Sequence, residues 1–161
     1  MQYRFAVKLF AAAQAMGIHT ALDTNGYLGD RLTDADLDKI DLVLLDIKGW
    51  NAVRHRHLTG MEIGPVFDFA RRLAARRQPV WVRFVLVPGL TDNHEEIDQI
   101  ASFAAGLGNI ARVDVLPFHQ MGRYKWKDLG LNYTLDQVEP PSNEAVERAC
   151  AQFRAAGLTA F

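Results

Sequence analysis

Residues 41–48 read DLVLLDIK, four consecutive apolar residues framed by Asp41 and Asp46. A strand with one face in water alternates apolar with polar residues, whereas a short continuous apolar run suits a parallel strand buried in a sheet. Residues 80–87, VWVRFVLV, carry the same signature between Pro79 and Pro88-Gly89, and residues 112–119, RVDVLPFH, carry it again. A shorter β-prone run over residues 18–24 ends in Asp23-Thr24-Asn25-Gly26, the composition of a strand entering a loop.

Helical patterns lie between these runs. Phe5, Ala6, Leu9, Phe10, Ala13 and Met16 recur at helical spacing, and Gly17 stands where a C-terminal cap is expected. Thr33 and Asp36 have the spacing of a weak capping box for a short helix over 34–40. A helix over 62–77 turns Val66, Phe67, Phe69, Ala70 and Leu73 inward and its arginines outward. Asp92 or Asn93 caps another that runs to Leu107 and stops at Gly108. A loop rich in charge and aromatics fills 120–141, Ser142 caps a final helix to Ala156, and 158–161 read as a last short strand. Helix and strand alternate with no hairpin signal, so the expected class is α/β with parallel strands joined by crossover helices. Four main strands are too few to close an eight-stranded barrel and leave an open sheet. No linker divides the chain, and residues 1–161 are expected to form a single domain.

A formal net charge of −1 gives no reason to expect nucleic acid or an anionic membrane as partner. No apolar run approaches the roughly 18–20 residues that span a bilayer. Residues 1–17 mix charge into their apolar positions and lack a signal-peptide layout, so a cytoplasmic location is expected. Cys150 is the single cysteine, which excludes a disulfide framework, a cysteine-held structural zinc and a cysteine-ligated iron–sulfur cluster within one chain.

Parallel α/β folds gather reactive groups at the carboxyl ends of their strands. Here those ends carry Asp23-Thr24-Asn25, then Asp46 and Lys48, then Arg83 and Val85, then His119. Asp46 and Lys48 are two residues apart and share a strand face. Each has a plainer reading. Asp23 starts a turn, Lys48 is the solvated end of a strand, Asp46 and Arg83 sit in structural ion pairs, and His119 bonds to loop backbone. Their joint appearance at four strand ends favours a site. Cys150 shares a helix face with Val146, Ala149 and Phe153 and reads as a core thiol. Arg71-Arg72 and Arg76-Arg77 read as the solvated side of their helix, and Arg54-His55-Arg56-His57 has no second cluster at metal-ligand spacing.

The blocks ALDTNGY, DLVLLDIK, PVWVRFVLVPGLTD, VDVLPFHQMGRYKW and LGLNYTL…PP resemble, in order and approximate spacing, the radical S-adenosylmethionine (SAM) enzymes that activate pyruvate formate-lyase. The resemblance runs from Gln2 to the C-terminus and implies part of an incomplete TIM-like radical SAM barrel. Such enzymes cleave SAM reductively on a [4Fe–4S] cluster, with an electron from a flavodoxin-type donor, and set a glycyl radical on a partner enzyme. By resemblance, Asp23 lies near the SAM amino group, Asp46 holds the ribose hydroxyls, and Lys48 and His119 meet the carboxylate. The backbone around Val85 lines the adenine, and Asp23, Thr24 and Asp46 contribute to a monovalent-cation site. An ammonium and an imidazole suit a carboxylate, and a carboxylate suits vicinal hydroxyls.

One departure matters as much as the match. The family's Cys-x3-Cys-x2-Cys loop and its Gly-Gly-Glu segment lie upstream of every block found here. The chain is therefore expected to be a fragment, through an internal start or a truncated gene, with no radical chemistry of its own and weak SAM affinity. Two other readings stand beside it: a remnant that binds a partner without catalysis, and an independent α/β lyase using Lys48 as a Schiff-base amine.

Overall fold

Four parallel strands, β1 (Ala21–Thr24), β2 (Leu42–Asp46), β3 (Val80–Leu86) and β4 (Ile110–Pro117), lie side by side in chain order. They are seen in a computed structural model that describes residues 2–161. Helices α1 (Tyr3–Ala15), α2 (Asp34–Leu37), α3 (Ala52–Thr59), α4 (Gly64–Ala75), α5 (His94–Leu107), α6 (Arg123–Asp128) and α7 (Asn143–Ala155) fill the connections and the C-terminal part. The fold is the expected α/β class. None of the described helices is long and apolar enough to cross a membrane.

The burial of the sheet is one-sided. Along β3, Val80, Val82, Phe84 and Leu86 are buried, while Trp81, Arg83 and Val85 are half-buried. In β2 the buried residues are Val43 and Leu45. The buried face joins Phe67, Ala70 and Leu73 of α4, Ile97 and Ile100 of α5 and Phe153 of α7 in one core. The opposite face, which would be the lumen of a closed barrel, carries Asp46, Trp81, Arg83 and Arg112, none of them buried. The apolar run of β2 thus serves a sheet covered on one face, not on both.

Local chemistry explains most boundaries. The Thr33–Asp36 capping box forms reciprocally, at 3.1 and 2.9 Å. Asn93, rather than Asp92, caps α5 by accepting from the Glu96 backbone N–H, and Gly108 ends that helix in the left-handed region at φ 72°. Ser142 accepts from the Ala145 N–H to start α7.

Several expectations are corrected. Helix α3 was not anticipated; Asn51 caps it by accepting from Val53 and Arg54 N–H, both at 3.0 Å, and Gly60 closes it. The apolar stripe of α1 divides: Phe10, together with Tyr3 and Val7, packs on the core, while Phe5, Leu9 and Met16 are exposed. Arg72 and Arg76 are not simply solvated but bridge α4 to α2 through Asp34 and Asp38. The loop over 120–141 contains a 3₁₀ turn, Gln120–Gly122, and then α6. The last residues form a bridge rather than a full strand: Val113 N–H donates to Thr159 C=O, Phe161 N–H to Val113 C=O and Val115 N–H to Phe161 C=O.

Candidate functional site at the carboxyl rim of the sheet

The strand ends set the site. Asp46 closes β2 and its carboxylate meets the Lys48 ammonium at 2.8 Å. The segment that follows is held from α5: Glu96 accepts from Trp50 N–H and pairs with Arg54 at 3.2 Å. Trp50 packs on the rings of Phe67 and Phe103, with centroids 5.1 and 5.8 Å away. Lys48 is therefore carried on an anchored turn rather than a free tail.

On β1, Asp23 is not the turn former. Thr24 Oγ1 accepts from Gly26 N–H at 3.0 Å, and Asn25 Oδ1 accepts from Tyr27 N–H at 3.1 Å. Gly26 sits at φ 73°, in the left-handed region that favours glycine, and a Cβ there would also crowd Leu45 Cδ1 at 2.9 Å. Asp23 instead reaches Arg83 on β3 at 2.5 Å, spanning β2. A third pair, Arg112–Asp114, lies further along the same face, and the Arg112 guanidinium is 4.7 Å from the ring centroids of both Trp81 and Phe161.

After β3 the residues VPGLTD fold into a loop bonded to itself. The Thr91 hydroxyl donates to Val85 C=O and accepts from Val87 N–H, both at 2.7 Å, and Asp92 accepts from Gly89 N–H at 2.9 Å. Val85 and Val87 form part of a groove of about 560 Å³ that also takes in Lys48, His57, Phe118, Trp126 and Tyr133. The Trp126 and Tyr133 rings lie 5.5 Å apart on its outer wall. His119, beyond β4, is exposed, and its Nδ1 accepts from Met121 N–H at 3.4 Å. In that arrangement Nε2 carries the ring proton and is a donor. A groove of about 630 Å³ on the outside of α6, bordered by the Arg123–Asp136 pair, is slightly larger but involves none of the strand-end charges.

The six residues to which the resemblance gives a role thus divide. Lys48 and Val85 line the groove, and Asp46 joins it through Lys48. Asp23 and Thr24 stand at the end of β1, and His119 in the loop after β4. His57, Trp126 and Tyr133 were not picked out. Trp126 and Tyr133 were legible only as aromatics in a charged loop, and His57 depends on the unanticipated α3.

Cationic, anionic and apolar surfaces adjoin at Lys48, Asp46 and Val85, which fits a ligand with a carboxylate, a diol and a flat base. A cysteine-held cluster does not fit: Cys150 is the sole cysteine, buried in α7. Among the described residues no three His, Cys, Asp or Glu side chains are grouped to hold a metal ion. Asp23 and Asp46 each already have a cationic side chain as partner.

No family model matches the chain. The pyruvate formate-lyase-activating enzyme of Staphylococcus epidermidis is 41% identical over 155 residues, covering 92% of this chain and 62% of the relative. A crystallised domain of the pyruvate-formate lyase-activating enzyme from Bacteroides vulgatus superposes with a TM-score of 0.79 at 21% identity, over 99% of this chain and 89% of that one. A radical SAM methyltransferase from Sphaerobacter thermophilus gives 0.65 at 18% identity, over 91% of this chain and 41% of its own. The chain spans less than two thirds of the length of the curated relatives it matches. Its four-stranded parallel sheet resembles the partial barrels of these solved structures, and the chain is a homologue of the pyruvate formate-lyase-activating enzymes.

Proposed function

We propose that this chain forms a SAM-binding portion of an activase for a glycyl radical enzyme of the pyruvate formate-lyase type. The observation that carries the reading is the 2.8 Å Asp46–Lys48 pair at the mouth of a groove containing Val85, in a homologue of the activases. In this reading Lys48 and the Nε2–H of His119 hold the ligand's carboxylate, and Asp46 accepts from the ribose hydroxyls. Asp23 meets the α-ammonium, and the backbone at Val85 flanks the base. Asp23, Thr24 and Asp46 take a monovalent cation when their internal partners are displaced.

SAM supplies the organic radical when it is cleaved by an electron from an iron–sulfur cluster. No three thiolates are present to hold one, so the cluster ligands must come from outside these 161 residues. The chain on its own then binds SAM weakly and performs no radical chemistry. Glycyl radical formation and reduction by a flavodoxin-type donor belong to the assembly that supplies the cysteines.

Titration calorimetry tests this. SAM is expected to bind in the high-micromolar to millimolar range, and Lys48→Ala to weaken it by about tenfold, the loss of one charge-assisted contact. Affinity that is unchanged in both Lys48→Ala and His119→Ala overturns the assignment.

A second reading is docking on a partner without catalysis. The exposed Met121, Tyr124, Leu129 and Leu131 around α6 favour it. Pull-down of a glycyl radical enzyme that persists in Lys48→Ala but fails in a Tyr124→Ser/Leu129→Ser variant would support docking independent of the ligand.

A further inference from the structure

The open face of the sheet is a closed set of charge pairs. Asp46 has Lys48 at 2.8 Å, Asp114 has Arg112 at 2.5 Å, and Asp23 has Arg83 at 2.5 Å. The third pair differs from the others. In the strand register Arg83 stands beside Asp46 and Asp114, its neighbours on β2 and β4. Both carboxylates are already matched, so the guanidinium extends across β2 to Asp23. Asp23 is also the accessible acid, its side chain 57% exposed against 19% for Asp46 and 18% for Asp114. Among the described residues, Asp23 and Arg83 form no side-chain hydrogen bond other than the one to each other.

From this we infer that Arg83 competes with the cationic end of the ligand for Asp23. The guanidinium holds Asp23 in this structure and has to swing away before an ammonium can take its place. A pair this open to solvent is weak, which makes the exchange feasible. Arginine's long stem lets the group turn aside without moving β3, and its fixed charge means that it leaves by displacement and not by losing a proton. Arg83 is thus a positioning and selectivity residue: it raises the threshold for any cation at Asp23. The inference rests on the reading that Asp23 meets the α-ammonium, and it adds the group that opposes that contact.

The test uses the full chain, radiolabelled SAM and SAM's desamino analogue in equilibrium dialysis. Arg83→Gln is expected to tighten SAM by about two- to fivefold, the range of an exposed ion pair, and to leave the desamino analogue unchanged. Arg83→Lys, which keeps a cation, should stay near the parent for both. A merely structural arginine would shift both ligands together. Weaker SAM binding in Arg83→Gln, or equal shifts for the two ligands, overturns the competitor role. If SAM binds in a Lys48-dependent way and Arg83→Gln changes nothing, only the competitor role fails. If neither the parent nor any variant binds SAM, the reading of the rim fails, and the competitor role with it.

Discussion

At the scale of single residues, His55 and Asp41 show how position sets pH behaviour. His55 is 3% exposed in α3, and its Nδ1 has no hydrogen-bond partner. Burial holds its pKa below the ordinary 6.5, with Glu62 pulling weakly the other way. The folded chain therefore resists a proton that the unfolded chain accepts. The contribution is fully present above pH 6.5 and is lost as pH falls below it. His55→Leu is expected to flatten the decline of Tm on the acid side of that value, read by thermal melts at a series of pH values. Asp41 works in a lower window. The Thr20 backbone N–H, the Thr20 hydroxyl and the Gln14 amide hold its carboxyl below 3.8, so its contribution persists until the pH drops past that value. In the sequence Asp41 marks only the opening of a strand. Its bonds to residues 21 and 27 positions away come from the packing of α1 and β1 against β2, which no local pattern encodes.

At the scale of elements, legibility followed how local the cause was. The Thr33–Asp36 box, the Asn93 and Ser142 caps and the inward face of α4 all arise within a few residues, and they were readable. Helix α3 escaped because RHRH offers little apolar periodicity, although Asn51 and Gly60 are proper start and stop signals. Helix α1 is legible from its spacing, but it carries apolar residues on two sides, and only the tertiary neighbours decide that Phe10 packs while Phe5 and Leu9 stay exposed. The strand-end charges were legible as a group, but the pairing of Asp23 with Arg83 over β2 needed the register. The C-terminal bridge makes its own prediction. Removing residues 158–161 takes the partners from the Val113 and Val115 N–H groups and takes Phe161 off Arg112. Those two amides should then exchange faster with deuterium, and the chain should unfold at lower urea, by about 1–3 kcal/mol for the bonds and packing lost.

At the scale of the whole molecule, the sheet has one covered face and one open face, and β1 has a strand neighbour on one side only. Phe5, Leu9 and Met16 on α1 add exposed apolar surface. Unpaired edges and apolar patches promote association. The chain is expected to bind a hydrophobic dye and to gain mass with concentration in light scattering. A monodisperse monomer that leaves the dye dark would count against the open-barrel reading. The order of the strands bears on synthesis as well. Because β1, β2, β3 and β4 pair in the sequence in which they are made, a nascent chain leaving the ribosome never waits for a distant segment before adding to the sheet. Each strand zips onto the one just delivered, and Thr159 and Phe161 then bond to Val113 and Val115 at the edge that β4 presents.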